Sequence, residues 1–204
     1  MKKNVVIIQA VLLIIAVLAV SCVSGGGSGN TNKSAQGVVK YRWDFSDPGA
    51  GTAGWFMVPD EYWDFHGTAV LSRDDKTFGR PMLRMDVDFT KDTKSEWSEP
   101  KMKMQFSKPI EGVTRISFDF IYNPSFSKSG CIKSKVITYN GKKQLAATHI
   151  DDILAFDELP NGYIKGEVTL IAASSTPVDN MLLSIAGYLS DYKGPIFFDN
   201  MRLE

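Results

Sequence analysis

Cysteine and histidine are scarce in this 204-residue chain, with two of each. Two cysteines exclude a disulfide-rich scaffold and a Cys-rich zinc site. The two histidines, His66 and His149, are too far apart in sequence to suggest a His-based metal centre. There is no excess of either charge, since 23 Lys+Arg stand against 23 Asp+Glu. Without a basic surplus the chain has no overall pull on phosphate backbones, and nucleic acid is set aside as a partner. The phosphate-binding glycine loop, the GxSxG elbow and the zinc signatures are all missing. A glycosidase needs two carboxylates at a set separation. Glu96, Glu99, Asp86 and Asp88 are candidates, but alternation makes the last two part of an ordinary solvated face and no pair stands out. The chain is therefore read as non-enzymatic, and it shows no internal repeat and no second domain.

What is present begins at the amino end. Lys2 and Lys3 precede an apolar run from Val5 to Val20 interrupted by Gln9 alone. A basic end, a run of this length and small residues at its close describe a secretory signal peptide. The run is shorter than the roughly 20 apolar residues of a spanning helix. Ala19-Val20-Ser21-Cys22 is similar to a bacterial lipobox, so residues 1–21 are expected to be removed and Cys22 to be lipidated. Residues 22–37 then form the lipidated cysteine and a Gly/Ser tether. Its fifteen residues after Cys22 span about 20 Å on average if it behaves as a Gly-rich coil. The expected location is the bacterial cell envelope, periplasmic or surface-exposed, with the lipid as the contact to the membrane. Cys131, left without a partner, is expected to be a free thiol in or near the core. Cleavage leaves 21 basic and 23 acidic groups, a mild charge that says nothing of partners.

From residue 38 to 204 a period of two dominates. Val39, Tyr41, Trp43 and Phe45 alternate with Lys40, Arg42 and Asp44, as in a strand with one buried and one wet face. Leu83 to Phe89, Lys101 to Phe106 and Arg115 to Phe120 repeat the pattern. Further strands are expected at Thr68–Ser72, Ile132–Tyr139, Tyr163–Ala172, Met181–Tyr188 and Ile196–Leu203. Turn-rich stretches such as NPSFSKSG and SDYKGP separate them. The expected fold is an all-β antiparallel sandwich, with a brief helical turn allowed at His149–Phe156.

Trp43 falls on the apolar side of its strand. Trp55, Trp63 and Trp97 instead sit among polar or acidic neighbours. Trp97 shares the parity of Lys101 and Lys103, provided Pro100 does not shift the register. An indole in such a setting serves a sugar site, its face packing on the C–H face of a pyranose while carboxylates and amides hold the hydroxyls. It serves equally well as a cap at the end of a sandwich.

MLLSIAGYLSDYKGPIFFDNMRL resembles the closing strands of the mannan-binding carbohydrate-binding modules attached to bacterial β-mannanases, family twenty-seven. WDFSDPG resembles their opening strand, PMLRMDVDF their LRLDV-type strand, and GVTRISFDFIYNPSFSKSG the strand and loop before the middle of the domain. The resemblance implies a β-jelly-roll, like a galactose-binding domain, that holds mannan, glucomannan or galactomannan without cleaving it, working beside a separate glycan-degrading enzyme. It implies stacking platforms at Trp97 and Trp63, with Trp55 competing for the role of Trp63. Where relatives place another tryptophan, this chain has VITYNGKK and offers Tyr139. It also implies a structural calcium between the first and last strands, with Asp199 and either Asp47 or Asp44 as ligands. The alternative is a structural or protein-interaction lipoprotein on the same sandwich, since fold does not fix function.

Overall fold

The computed structural model describes residues 38–43, 45–58, 67–90, 97–148, 156–172 and 175–204, with the backbone alone for Trp97 and Ser98. These residues build two antiparallel sheets. The first contains β1 (Tyr41–Arg42), β3 (Thr68–Asp74), β4 (Met82–Asp88), β7 (Arg115–Tyr122), β10 (Asp157–Glu158), β11 (Ile164–Ile171) and β13 (Lys193–Leu203). Its strands lie in the order β10-β11-β7-β13-β4-β3, and β1 pairs with the far end of β13. The second contains β2 (Phe56–Met57), β5 (Trp97–Ser98), β6 (Lys101–Ile110), β8 (Cys131–Asn140), β9 (Lys143–Ala147) and β12 (Val178–Tyr188). Its order is β2-β6-β12-β8-β9, with β5 also on β12. All nine expected strands are present in whole or in part. The expected helical turn falls almost wholly outside the described residues, and Phe156 at its end is not helical.

Alternation explains the core. Leu83, Met85 and Val87 of β4, Phe118 and Phe120 of β7, and Ile196 and Phe198 of β13 meet Met102, Met104, Leu183 and Ile185 of the second sheet in one buried cluster. Residues of opposite parity on the first sheet form a smaller cluster outside it, where Phe197 packs with Ile121, Met82 and Tyr163. Arg84 lies 5.8 Å from the Phe197 ring and closes this cluster with a cation–π contact. Asp88 departs from the solvated face expected for it. It is 6% exposed, ion-paired to Lys193 Nζ at 2.9 Å and bonded to the Thr90 amide and hydroxyl.

The loop from Asn123 to Gly130 is fastened to the β12–β13 connection by Asp191. One carboxylate oxygen accepts from Ser127 Oγ at 2.8 Å, Lys128 N at 2.8 Å and Ser129 N at 3.1 Å. At the loop's end Gly130 has φ +70°, and a Cβ there would fall 2.2 Å from the Tyr188 carbonyl oxygen, so no other residue fits. The Ser127 hydroxyl, and after it the two amides, hold the Asp191 carboxyl down to about 2 from its usual value of 3.8. A depressed carboxyl pKa stabilises the fold above the unfolded-state value, and that contribution disappears as pH falls through the folded-state value. Asp191→Asn should therefore lower the urea midpoint at neutral pH, and the gap to the wild type should close between about pH 4 and pH 2. A gap that persists at pH 2 would contradict this assignment.

Candidate functional site

The outward face of the second sheet is set by the register of β6, β12 and β8. With Met102, Met104, Met181, Leu183 and Val136 turned to the core, the alternate residues share the opposite face. They form cross-strand rows. Gln105, Asn180 and Tyr139 make one row, continued by Gln144 of β9. Lys101, Ser184 and Lys135 make the middle row. Trp97, Tyr188 and Cys131 make the last. The outer rows are eight residues apart along β12, or about 27 Å at the usual rise. The face thus has an aromatic residue at either end and polar groups between, dimensions suited to an oligomer and too long for a single sugar.

Hydrogen bonds fix several of these groups. Ser184 Oγ donates to Glu99 Oε1 at 2.9 Å, and Lys101 Nζ lies 3.0 Å from Glu99 Oε2. Burial pulls the Lys101 ammonium below its usual pKa, with Glu99 opposing the shift. Gln105 Nε2 donates to the Asp179 carbonyl at 3.0 Å, and Asn180 Nδ2 to Gly141 O at 3.2 Å and Asp179 Oδ1 at 2.6 Å. Tyr139 is half-buried. Burial, then the Glu99 charge, pushes its phenol up, so it remains a neutral donor at physiological pH. Such an arrangement orders hydroxyl-matching groups before a ligand arrives, which lowers the entropic cost of binding.

Of the residues expected to carry the site, Trp97 and Tyr139 belong to this face by register. The register runs unbroken across Pro100: Trp97 opposes Tyr188 and Lys101 opposes Ser184. Trp55 is a correction. Its side chain is 2% exposed and lies in the core cluster, 5.5 Å from the Trp43 ring. An indole so enclosed presents no face to a pyranose. Its burial follows from a turn in which Trp55 N donates to Thr52 O and Thr52 Oγ1 to Trp55 O, tucking the ring inward. Trp63, Asp44 and Cys22 lie outside the described residues.

The remaining calcium candidates do not fit an oxygen cage. Asp199 Oδ2 faces Arg80 Nη2 at 2.8 Å, and its Oδ1 accepts from the Asn200 amide at 2.8 Å. Its cross-strand neighbour Asp119 accepts from Asn200 Nδ2 at 2.7 Å. Asp47 caps its own turn by accepting from Gly49 N at 2.8 Å. An arginine sits where a cation would, and among the described residues no three His, Cys, Asp or Glu side chains converge. Cys131 forms no disulfide and is half-buried at the start of β8, at the outward parity opposite Tyr188. Among the described residues no helix is long and apolar enough to cross a membrane.

Sequence reasoning missed Lys133 and Lys135 of this face. Lys133 and Lys135 sit at period two in CIKSKVITY, as Lys101 and Lys103 do in KMKMQF, and that shared spacing was the signal.

No curated protein sequence matches the chain. Among solved structures, the mannan-recognising module TmCBM27 superposes with a TM-score of 0.61 at 18% identity, over 83% of this chain and 98% of that one. The first family-27 module of Caldicellulosiruptor saccharolyticus, solved with mannohexaose, gives 0.58 at 20% identity, over 80% and 96%. A family-28 module specific for non-crystalline cellulose gives 0.54 at 18%, over 74% and 88%. These likenesses establish the jelly-roll fold. Residues 56–204 match the family described as carbohydrate binding module 27, a family of non-catalytic binding modules. With its two sheets and outward polar face accounted for, the chain belongs to carbohydrate binding module family 27.

Proposed function

We propose that this protein binds β-1,4-linked mannan, glucomannan or galactomannan without cleaving it, held at the cell envelope through a lipid on Cys22 and working beside a separate glycan-degrading enzyme. The observation that carries the ligand is the family match over residues 56–204. It is supported by the face whose outer rows include Trp97 and Tyr139 and by relatives named for mannan recognition and for a mannohexaose complex. The anchor rests on the basic end, apolar run and Cys22 of the sequence.

Affinity electrophoresis tests the ligand. The protein should be retarded in gels containing galactomannan or glucomannan and should run freely in xylan and in soluble cellulose derivatives. Absence of retardation in every gel would sink the proposal. For the anchor, Cys22→Ser should move the protein out of the detergent phase on phase separation, whereas unchanged partitioning would remove the lipid.

A further inference from the structure

An apolar row crosses the outward face of the second sheet between two of its polar rows. Register sets Phe56 beside Lys103, Lys103 beside Leu182, Leu182 beside Ile137 and Ile137 beside Ala147. The row lies between that of Gln105, Asn180 and Tyr139 and that of Lys101, Ser184 and Lys135, about 7 Å from each along β12. None of its four apolar side chains belongs to either core cluster, so packing of the sandwich does not account for them. Ile137 is 8% exposed, Leu182 and Ala147 are half-buried, and Phe56 is 47% exposed on β2. The row is thus a low floor with one raised edge. A sugar hydroxyl laid on Leu182 and Ile137 would lose its water and gain no partner there. The polar group within the row is the Lys103 ammonium, which donates and cannot accept, and the Tyr139 phenol stands two residues from Ile137 as a further donor. Apolar contact beside hydrogen-bond donors matches an ester acyl group, which has a methyl to bury, a carbonyl that accepts and no O–H of its own.

Resting on the glycan-binding reading above, we propose that this row receives an acetyl ester carried on O2 of a β-1,4-linked manno chain, so that the protein favours acetylated mannan over the bare polymer. The occupant follows from continuity. Polar rows border the apolar one on both sides and aromatic residues stand at either end of the face, so a chain bound along β12 must cross it. The C2 oxygen of a mannopyranose is axial, and a substituent on it stands off the ring face instead of extending along the ring edge. A ring laid flat on the sheet points that ester into the floor when this face is down. Successive rings of a β-1,4 chain turn over, so every second ring presents it. The methyl group then meets Leu182 and Ile137, and the carbonyl oxygen accepts from Lys103 or Tyr139. An equatorial ester, as on a gluco ring, lies in the ring plane and passes over the row.

The test is titration calorimetry with mannohexaose carrying 2-O-acetyl groups and with the same oligomer after mild alkali has removed them. The acetylated form should bind about fourfold tighter, the worth of one alkyl carbon buried, and with a more negative heat-capacity change, the mark of added apolar burial. In Leu182→Gln the affinity ratio should fall to about one, with an unchanged thermal midpoint showing that the fold survives. Leu182→Met, which keeps an apolar side chain, should retain the preference. Full preference in a folded Leu182→Gln protein overturns the placement at this row. Equal or weaker binding of the acetylated oligomer by the wild type, a comparison that needs no variant, overturns the acyl site and leaves the glycan-binding reading intact. Binding of neither oligomer overturns both.

Discussion

Trp97→Ala should abolish retardation in galactomannan gels while leaving the thermal midpoint nearly unchanged. Trp97 is in β5, a two-residue strand whose backbone pairs with the end of β12 at Tyr188 and Gly187. That ladder uses main-chain groups, which alanine retains, so the strand keeps its pairing. The register puts Trp97 in the same series as Lys101 and Lys103, at one end of the proposed glycan face. An aromatic at such a position supplies a large contact area with few rotamers to freeze. Truncating an anchor of this kind costs about 2 kcal/mol or more in binding, about thirtyfold in affinity. For a weak polysaccharide binder that is enough to erase retardation. A variant that migrates like the wild type in the same gel would show that the sugar is held elsewhere. A large drop in the midpoint would make Trp97 a packing residue.

How much of this was legible depends on the strength of the period. Strands with one apolar row and one charged row, such as MLRMDVDF and KMKMQF, were readable because both faces leave a mark in the sequence. The two-residue strands β2, β5 and β10 were not, since a run of two has no period. They exist because longer neighbours, β6, β12 and β11, offer them paired edges. The opening segment was overread. Four alternating apolar residues suggested one long buried row, but Val39 and Tyr41 are 48% and 39% exposed while Trp43 and Phe45 are in the core. The backbone already pairs with β13 at Tyr41 and Arg42, but the side chains reach the core only from Trp43, whose amide donates to the Met201 carbonyl at 3.1 Å.

The site was legible where it lay on strands and obscure where it lay on turns. Parity placed Trp97 with the lysines, and the structure keeps that register through Pro100. Asp88 misled in the opposite direction, because alternation reports which side of a sheet a residue takes and not what then covers it. The Thr90 hydroxyl and the Lys193 ammonium come from a loop and from a strand more than a hundred residues away. The partners of Asp199 were hidden for a similar reason. Nothing local to Asp199 announces that Arg80 will reach it at 2.8 Å.

Trp55 shows the same limit, and its substitution should have the largest effect on stability. Trp55→Ala should lower unfolding free energy by about 3–5 kcal/mol, the range for deleting a large buried aromatic. The ring is 2% exposed and tilts against Trp43, which in turn contacts Phe106 and Tyr41, so the cavity would open in the middle of an aromatic cluster that cannot readily collapse. Trp55→Phe should be far milder, about 1 kcal/mol or less. Trp55 Nε1 is buried without a hydrogen-bond partner, and removing an unsatisfied donor recovers part of its desolvation cost, about 1–3 kcal/mol. That recovery offsets much of the lost ring volume. Urea unfolding of the two variants separates packing from sugar contact: if Trp55 were a stacking platform, the alanine change would weaken binding at little cost to the urea midpoint. A packing residue gives the reverse, with a lower midpoint and an unchanged affinity measured under conditions where the variant is still folded.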